Sequence, residues 1–284
     1  MSQPLRAAPK GTLVRPRFLP PRYRKRHTGD ESVRHQDSSV NRGQPINMKS
    51  LRSFLLLFGV LALLINASVG GSLPTVKERL VSLGINIEKK SLIEALRNVN
   101  PEVRWLAAAQ LAEERAGDAV PEIAEALQKE LIDVSAVNMA LALGHLGDNR
   151  GLFALETMCR GSGTDDLRLR ASVYSLEFHS NSCLVPILDL ANSGETGSKA
   201  RALRVLPAFR DISIPDNARI LQIIQAALSD PEPYVRMAAG EARSILGDRQ
   251  SAAADLRKAI DNESDESVRA ALLLYLRLAE QKKQ

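Results

Sequence analysis

The chain has 284 residues, 44% of them hydrophobic and 25% charged, with 14 Pro and 17 Gly, which fits a folded body carrying an unstructured appendage. Its net charge of +5 is unevenly spread, because residues 1–47 hold ten Lys/Arg against three Asp/Glu and residues 48–72 add only Lys49 and Arg52. The remaining body, 73–284, holds 26 basic and 30 acidic residues, a net −4 that argues against phosphate or nucleic-acid binding by that part.

Residues 1–47 contain RPRFLPPRYRKRH (15–27) followed by a polar stretch without helical or strand period. They are predicted to be a disordered basic tail, with an arm for nucleic acid or anionic lipid as the alternative. From Met48 the sequence changes to MKSLRSFLLLFGVLALLINASVGGS. Lys49 and Arg52 precede an apolar run from Phe54 to Ile65, and small residues follow to Ser72. That order is a secretory signal peptide over 48–71, with cleavage expected near Gly70, or alternatively after Ala67. The run rises about 18 Å as helix, short of the roughly 30 Å hydrocarbon core. Met48 is well placed as an initiator, so residues 1–47 are expected to be an over-extended start. The alternative is an uncleaved signal anchor through residues 54–65, with the basic tail held in the cytoplasm. No Cys follows the run to suggest a lipid anchor.

Pro74–Leu83 and Ile87–Arg97 read as two short helices broken at Gly84. A repeating unit then begins. It is clearest in DPEPYVRMAAGEARSILGD (230–248), where Val235, Ala238, Ala239, Ala242, Ile245 and Leu246 form one helical face. Aligning on the apolar-then-Arg pair gives Val103-Arg104, Val134-Ser135, Leu167-Arg168, Ala200-Arg201, Val235-Arg236 and Val268-Arg269. The intervals run from 31 to 35 residues, the period of a helical solenoid. Turns are predicted at Gly117-Asp118, Gly147-Asp148, Ser180-Asn181, Arg210-Asp211 and Gly247-Asp248. Second helices follow at Val120–Gln128, Gly151–Met158, Leu184–Leu190, Asn217–Leu228 and Ala252–Ile260. Pro121 and Pro186 suit first turns, whereas Pro207 should bend or end its helix. The last helix, Val268 to about Lys282, turns polar towards EQKKQ as a cap. One unit buries too little to fold alone, so neighbours must share a core.

Neither the ankyrin T-P-L-H signal nor the Trp/Gly/Tyr pattern of tetratricopeptide repeats is present; Trp105 is the only Trp. NPEVRWLAAAQLAEERAGD, DPEPYVRMAAGEARSILGD and SDESVRAALLLYL resemble HEAT repeats of the short kind found in phycobilisome bilin lyases, over about residues 85–280. The resemblance implies an all-α fold, a right-handed α-solenoid of five to six helical hairpins. It also implies that Arg104, Arg168, Arg201, Arg236 and Arg269, with turn Asp residues, form a structural ladder between repeats. A shared ligand-binding stripe is the alternative role for those arginines. Unit two departs from the pattern at Ser135.

His145 and His179 fall near the ends of successive first helices with Cys183 nearby, a set that would suit zinc. No third or fourth ligand has metal spacing, so both read as helix-terminal histidines on the dipole. Cys159 closes one second helix and Cys183 opens the next, so they are expected on opposite edges as free, buried thiols. Asn262-Glu263-Ser264 matches a glycosylation sequon, which matters only in a eukaryotic secretory route. A chain resembling deoxyhypusine hydroxylase should carry His-Glu dipeptides, and none occurs. No phosphate loop, catalytic triad, metal site or cofactor site is found. The reading that follows is an exported, non-catalytic scaffold for a protein partner, with no nucleic acid expected on the repeat body and a membrane only if the signal is uncleaved. The alternatives are an accessory lyase-like subunit that holds a cofactor-bearing protein, with Tyr174, His179 and Cys183 to inspect, and a membrane-anchored module with a basic cytoplasmic tail.

Overall fold

The computed structural model describes residues 73–209 and 212–281, and among these the backbone forms thirteen α-helices and two short 3-10 helices. The tail 1–47, the signal 48–71 with its apolar run 54–65 and cleavage position Gly70, and the turn Arg210-Asp211 lie outside the described residues. No helix among the described residues is long and apolar enough to cross a membrane. In chain order the helices are α1 (Val76–Ser82), α2 (Lys89–Ala95), α3 (Pro101–Glu113), α4 (Val120–Lys129) and α5 (Asp133–His145). Then come α6 (Asn149–Arg160), α7 (Asp165–Glu177), α8 (Leu184–Ser193), α9 (Thr196–Val205) and α10 (Ile214–Ala227). The array closes with α11 (Pro233–Ile245), α12 (Arg249–Asp261) and α13 (Glu266–Gln281). Five hairpins, α3/α4 to α11/α12, stand between the short pair α1/α2 and the unpaired first helix α13. Each first helix packs on the next first helix and on the second helix before it, so the fold is an all-α solenoid.

Five of the first helices stop in a common way. Gly84, Arg115, Gly147, His179 and Gly247 all have φ between 54° and 81°, a left-handed residue just past the helix end. At Gly147 the chain then turns back, Gly147 N–H bonding Gly144 O at 2.9 Å and Asp148 N–H bonding Leu143 O at 3.0 Å. The same crossed pair recurs at Arg115-Ala116 and at His179-Ser180. It satisfies carbonyls that the helix end would otherwise leave unpaired. The predicted turns at Gly117-Asp118 and Ser180-Asn181 are therefore displaced. A search for glycine overlooks Arg115 and His179, which take the glycine conformation at a cost. Asp148 and Asp248 follow this turn and cap the second helices, accepting from Arg150 N–H at 2.9 Å and Ser251 N–H at 2.8 Å. As expected from Pro207, α9 ends at Val205 and a 3-10 turn, Leu206–Ala208, follows.

Apolar burial is unevenly distributed. One cluster runs from Leu80 to Leu143 and another from Leu169 to Ala279. Between them lies a small cluster of Val137, Ala140, Leu155, Cys159, Leu167, Ala171 and Cys183. Here α7 buries Ser172 and Ser175, and it approaches α5 and α9 less closely than α11 approaches α9 and α13. The expectation of two free thiols is wrong. Cys159 and Cys183 form a disulfide, their Cα atoms 5.9 Å apart. The expectation set the end of one second helix and the start of the next on opposite edges of the array. Instead residues 178–183 fold back: Ser180 Oγ donates to Glu156 Oε1 at 2.6 Å, and Cys183 Sγ lies 3.4 Å from Ser175 Oγ. That turn carries Cys183 down beside the end of α6, where Cys159 is fully buried.

Closing a loop of 24 residues is worth about 3 kcal/mol, so a Cys159→Ala/Cys183→Ala variant should melt several degrees lower in calorimetry. His179→Gly should raise stability by about 1 kcal/mol through relief of the left-handed φ, while Gly147→Ala should lower it by a similar amount in denaturant titration.

Candidate interaction surface

Val103 is buried in the core, and Arg104 follows it by about 100° around α3, at the rim where the chain leaves α4. There its guanidinium grips Glu130 with both arms, Nε to Oε2 and Nη2 to Oε1, each at 2.7 Å. Its third nitrogen, Nη1, donates to Asn98 O and Val99 O at 2.8 and 3.0 Å. One side chain thus ties the loop before its own helix to the loop after the next. The Glu130 side chain is 1% exposed and also accepts from the N–H groups of Leu131 and Ile132, each at 3.0 Å. Burial by itself would raise its carboxyl, but Arg104, Ser135 and Ile132 outweigh that and hold it at about 2.

The same construction appears four repeats later. Arg236 grips Glu263 at 2.7 and 2.8 Å, while its Nη1 donates to Asp230 O and Pro231 O at 2.9 and 3.0 Å. The Arg236 hydrogen bonds hold the Glu263 carboxyl below the ordinary range despite burial. The other arginines of the implied ladder differ. Arg168 reaches only Cys159 O, at 3.4 Å, and sits 3.6 Å from Asp165. Arg201 bonds back to Asp166 at 2.7 Å, and in its unit Lys199 takes the loop carboxylate, Asp230, at 2.5 Å. Arg269 donates to the Glu263 carbonyl. Ser135 stands where unit two lacks the Arg, and its hydroxyl donates to Glu130 at 2.7 Å, so this position stays in the network. Arg104 and Arg236 thus pair with glutamates of the loops after second helices, while the turn residues Asp148 and Asp248 are occupied as caps and Asp118 pairs with Lys89.

The spacing from Arg104 to Glu130 and from Arg236 to Glu263, 26 and 27 residues, was the signal that could have revealed these pairs. Sequence reasoning also missed Arg243, which is 1% exposed within its own hairpin. It bonds Asp255 Oδ2 at 2.7 Å, Leu246 O at 2.6 Å and Ser251 Oγ at 2.8 Å, joining α11 to α12.

Two clefts stand over the two clamps at matching positions. The first, about 470 Å³, opens between α2 and α4 with Ile93, Leu96 and Ala126 on its walls. The second, about 620 Å³, opens between α10 and α12, where Gln225, Leu228 and Ala259 occupy the corresponding places. Their chemistry differs. The lip of the first is apolar, with Leu131 83% and Ile132 48% exposed and Val99 close by at 96%. Inside it, Oε2 of Glu122 is buried without a hydrogen-bond partner among the described residues. The second is rimmed by Ser229, Lys258, Asn262 and Ser264.

The residues considered for chemistry are dispersed. Cys183 is bonded to Cys159, Tyr174 donates its hydroxyl to Asn138 at 3.1 Å, and His179 is exposed at its left-handed turn. Burial raises the Tyr174 hydroxyl above its ordinary value. His145 and His179 are not at equivalent places. His145 ends α5, pairs with Glu177 at 3.0 Å and meets the edge of Phe178, whereas His179 matches Gly147. Among the described residues no group of three or more His, Cys, Asp or Glu is placed to hold a metal. Asn262, in the sequon, caps α12 and donates to Lys258 O at 2.7 Å.

Comparison with known proteins matches residues 184–277 to the family profile of HEAT repeats. No curated protein sequence matches the chain. Among solved structures, human deoxyhypusine hydroxylase in complex with glycerol is similar at 17% identity and a TM-score of 0.38, covering 84% of this chain and 92% of that one. The complex of CpcE and CpcF of phycocyanin lyase from Nostoc sp. is similar at 19% identity and a TM-score of 0.38, covering 74% and 89%. At those scores neither bears on activity.

The clamp gives a pH prediction. A carboxyl held at about 2 in the fold, against an ordinary 4.5, stabilises above the ordinary value and loses that contribution as pH falls towards 2. Glu130→Gln should therefore be less stable at pH 7, and its melting temperature should fall less between pH 5 and pH 2 than that of the unaltered protein. Arg104→Ala, which leaves Glu130 buried and unpaired, should cost about 3 kcal/mol at pH 7 in denaturant titration.

Proposed function

We propose that this chain, which carries HEAT repeats over residues 184–277, is an exported scaffold that binds a protein partner without performing chemistry. The observation that carries the reading is the first cleft. Its exposed apolar lip of Leu131 and Ile132 stands beside a buried carboxylate oxygen of Glu122 that has no donor among the described residues. An apolar side chain flanked by a donor, such as a backbone N–H or a lysine, would satisfy both features. The body's net −4 favours such a partner over a polyanion. Export is supported by two independent features, the signal-like segment 48–71 and the disulfide, since such bonds persist mainly in oxidising compartments.

The test is capture of partners from the native envelope or secreted fraction, with N-terminal sequencing of the bait to report processing. A partner retained by the unaltered chain should be lost by Leu131→Asp/Ile132→Asp and kept by Ser264→Asp, which alters the second cleft. All baits should show the same melting temperature. Equal capture by both variants would refute the role of the first cleft, and a bait that begins at Met1 would refute export by the segment from Met48.

A further inference from the structure

The last described helix, α13, is apolar on two sides. Val268, Leu272 and Ala279 are buried on the array, with Tyr275 and Leu276 packed beside them. On the far side Leu273 and Leu274 are 40% and 54% exposed, and Leu278, on the flank between the two sides, is 49% exposed. At about 100° per residue, Glu266, Ala270, Leu273, Leu274, Arg277 and Gln281 fall within an arc of roughly 100°. All six are exposed. Inside the array the corresponding face of a first helix is where the next one stacks. Gly240 of α11, one repeat before Leu273, is buried against Leu272 and Tyr275 of α13, and a Cβ there would collide with Leu272.

We propose that this face of α13 is a self-association surface, on which the α13 of a second copy packs antiparallel about a two-fold axis between Leu273 and Leu274. The charges select that occupant and that direction. Neither Glu266 nor Arg277 has an ion-pair partner among the described residues. In the antiparallel pair, Leu273 of each chain meets Leu274 of the other. Arg277 lies over the small Ala270 and within one helical turn of Glu266 across the axis. Both ends of the interface thus gain an ion pair. A parallel pair would set Glu266 against Glu266 and Arg277 against Arg277. The contact is isologous and closes at two chains. A single helix on each side falls below the roughly 1,200 Å² of a standard stable interface, so the dimer should form and dissociate with concentration.

Sedimentation of the purified chain over a concentration series reads this directly. The expected mass rises from one chain to two, and Leu274→Asp weakens dimerisation by about tenfold or more. Arg277→Glu and Glu266→Arg should each weaken it, and an equimolar mixture of those two variants should recover it, since each would then supply the charge the other needs. Both substitutions are at exposed positions, so the mixing experiment stands even if Leu274→Asp unfolds. A chain that stays monomeric throughout, species that grow beyond two, or a mixture no stronger than its components would overturn the proposal.

Discussion

The stack depends on a side chain that is charged and yet nearly out of water. Arg104 and Arg236 each hold a glutamate with two parallel bonds and two loop carbonyls with the remaining nitrogen. The planar guanidinium matters here, because a lysine ammonium cannot present a fork to a carboxylate and still reach both carbonyls. The loops so gathered join one hairpin to the next, and hairpins of this size cannot close a core by themselves. Apolar contact supplies the adhesion between repeats. The clamp fixes the angle at which they meet, since its geometry tolerates little rotation.

Two such clamps lie far apart, at either end of the array, and the units between them are joined differently. Arg168 makes only marginal contacts, Arg201 reaches backward, and Lys199 substitutes for the missing arm. The apolar core also thins at this point, with serines buried on α7. There the chain places its disulfide. Covalent connection thus takes the place of burial and charge where both are weakest.

Much of the architecture was legible because it is periodic. The apolar-then-Arg pair recurs about every 33 residues, and each second helix begins within a few residues of its expected start. What escaped had no period to betray it. Arg115 and His179 adopt a glycine's backbone conformation, which their identities do not announce. Ser135 looked like an eroded arginine, but its hydroxyl serves the same glutamate from the other side. The pairing of Cys159 with Cys183 required a turn that folds back, set by the Ser180–Glu156 bond across two helices. The first cleft depends on Leu131 and Ile132 standing proud of a loop, and residues in so short a link carry no amphipathic pattern.

The position of the disulfide also has a mechanical meaning. A stack of hairpins pulled from its ends yields hairpin by hairpin, and each releases chain as it gives way. The bridge removes the 24 residues from Cys159 to Cys183 from that reserve, about 80 Å of extensible length at 3.3–3.6 Å per residue. Because it sits at the thinnest part of the core, it shields the place where such a spring would otherwise open first. Force would instead be met by the hairpins outside the bridge, of which those at the two ends of the array are held by the arginine clamps.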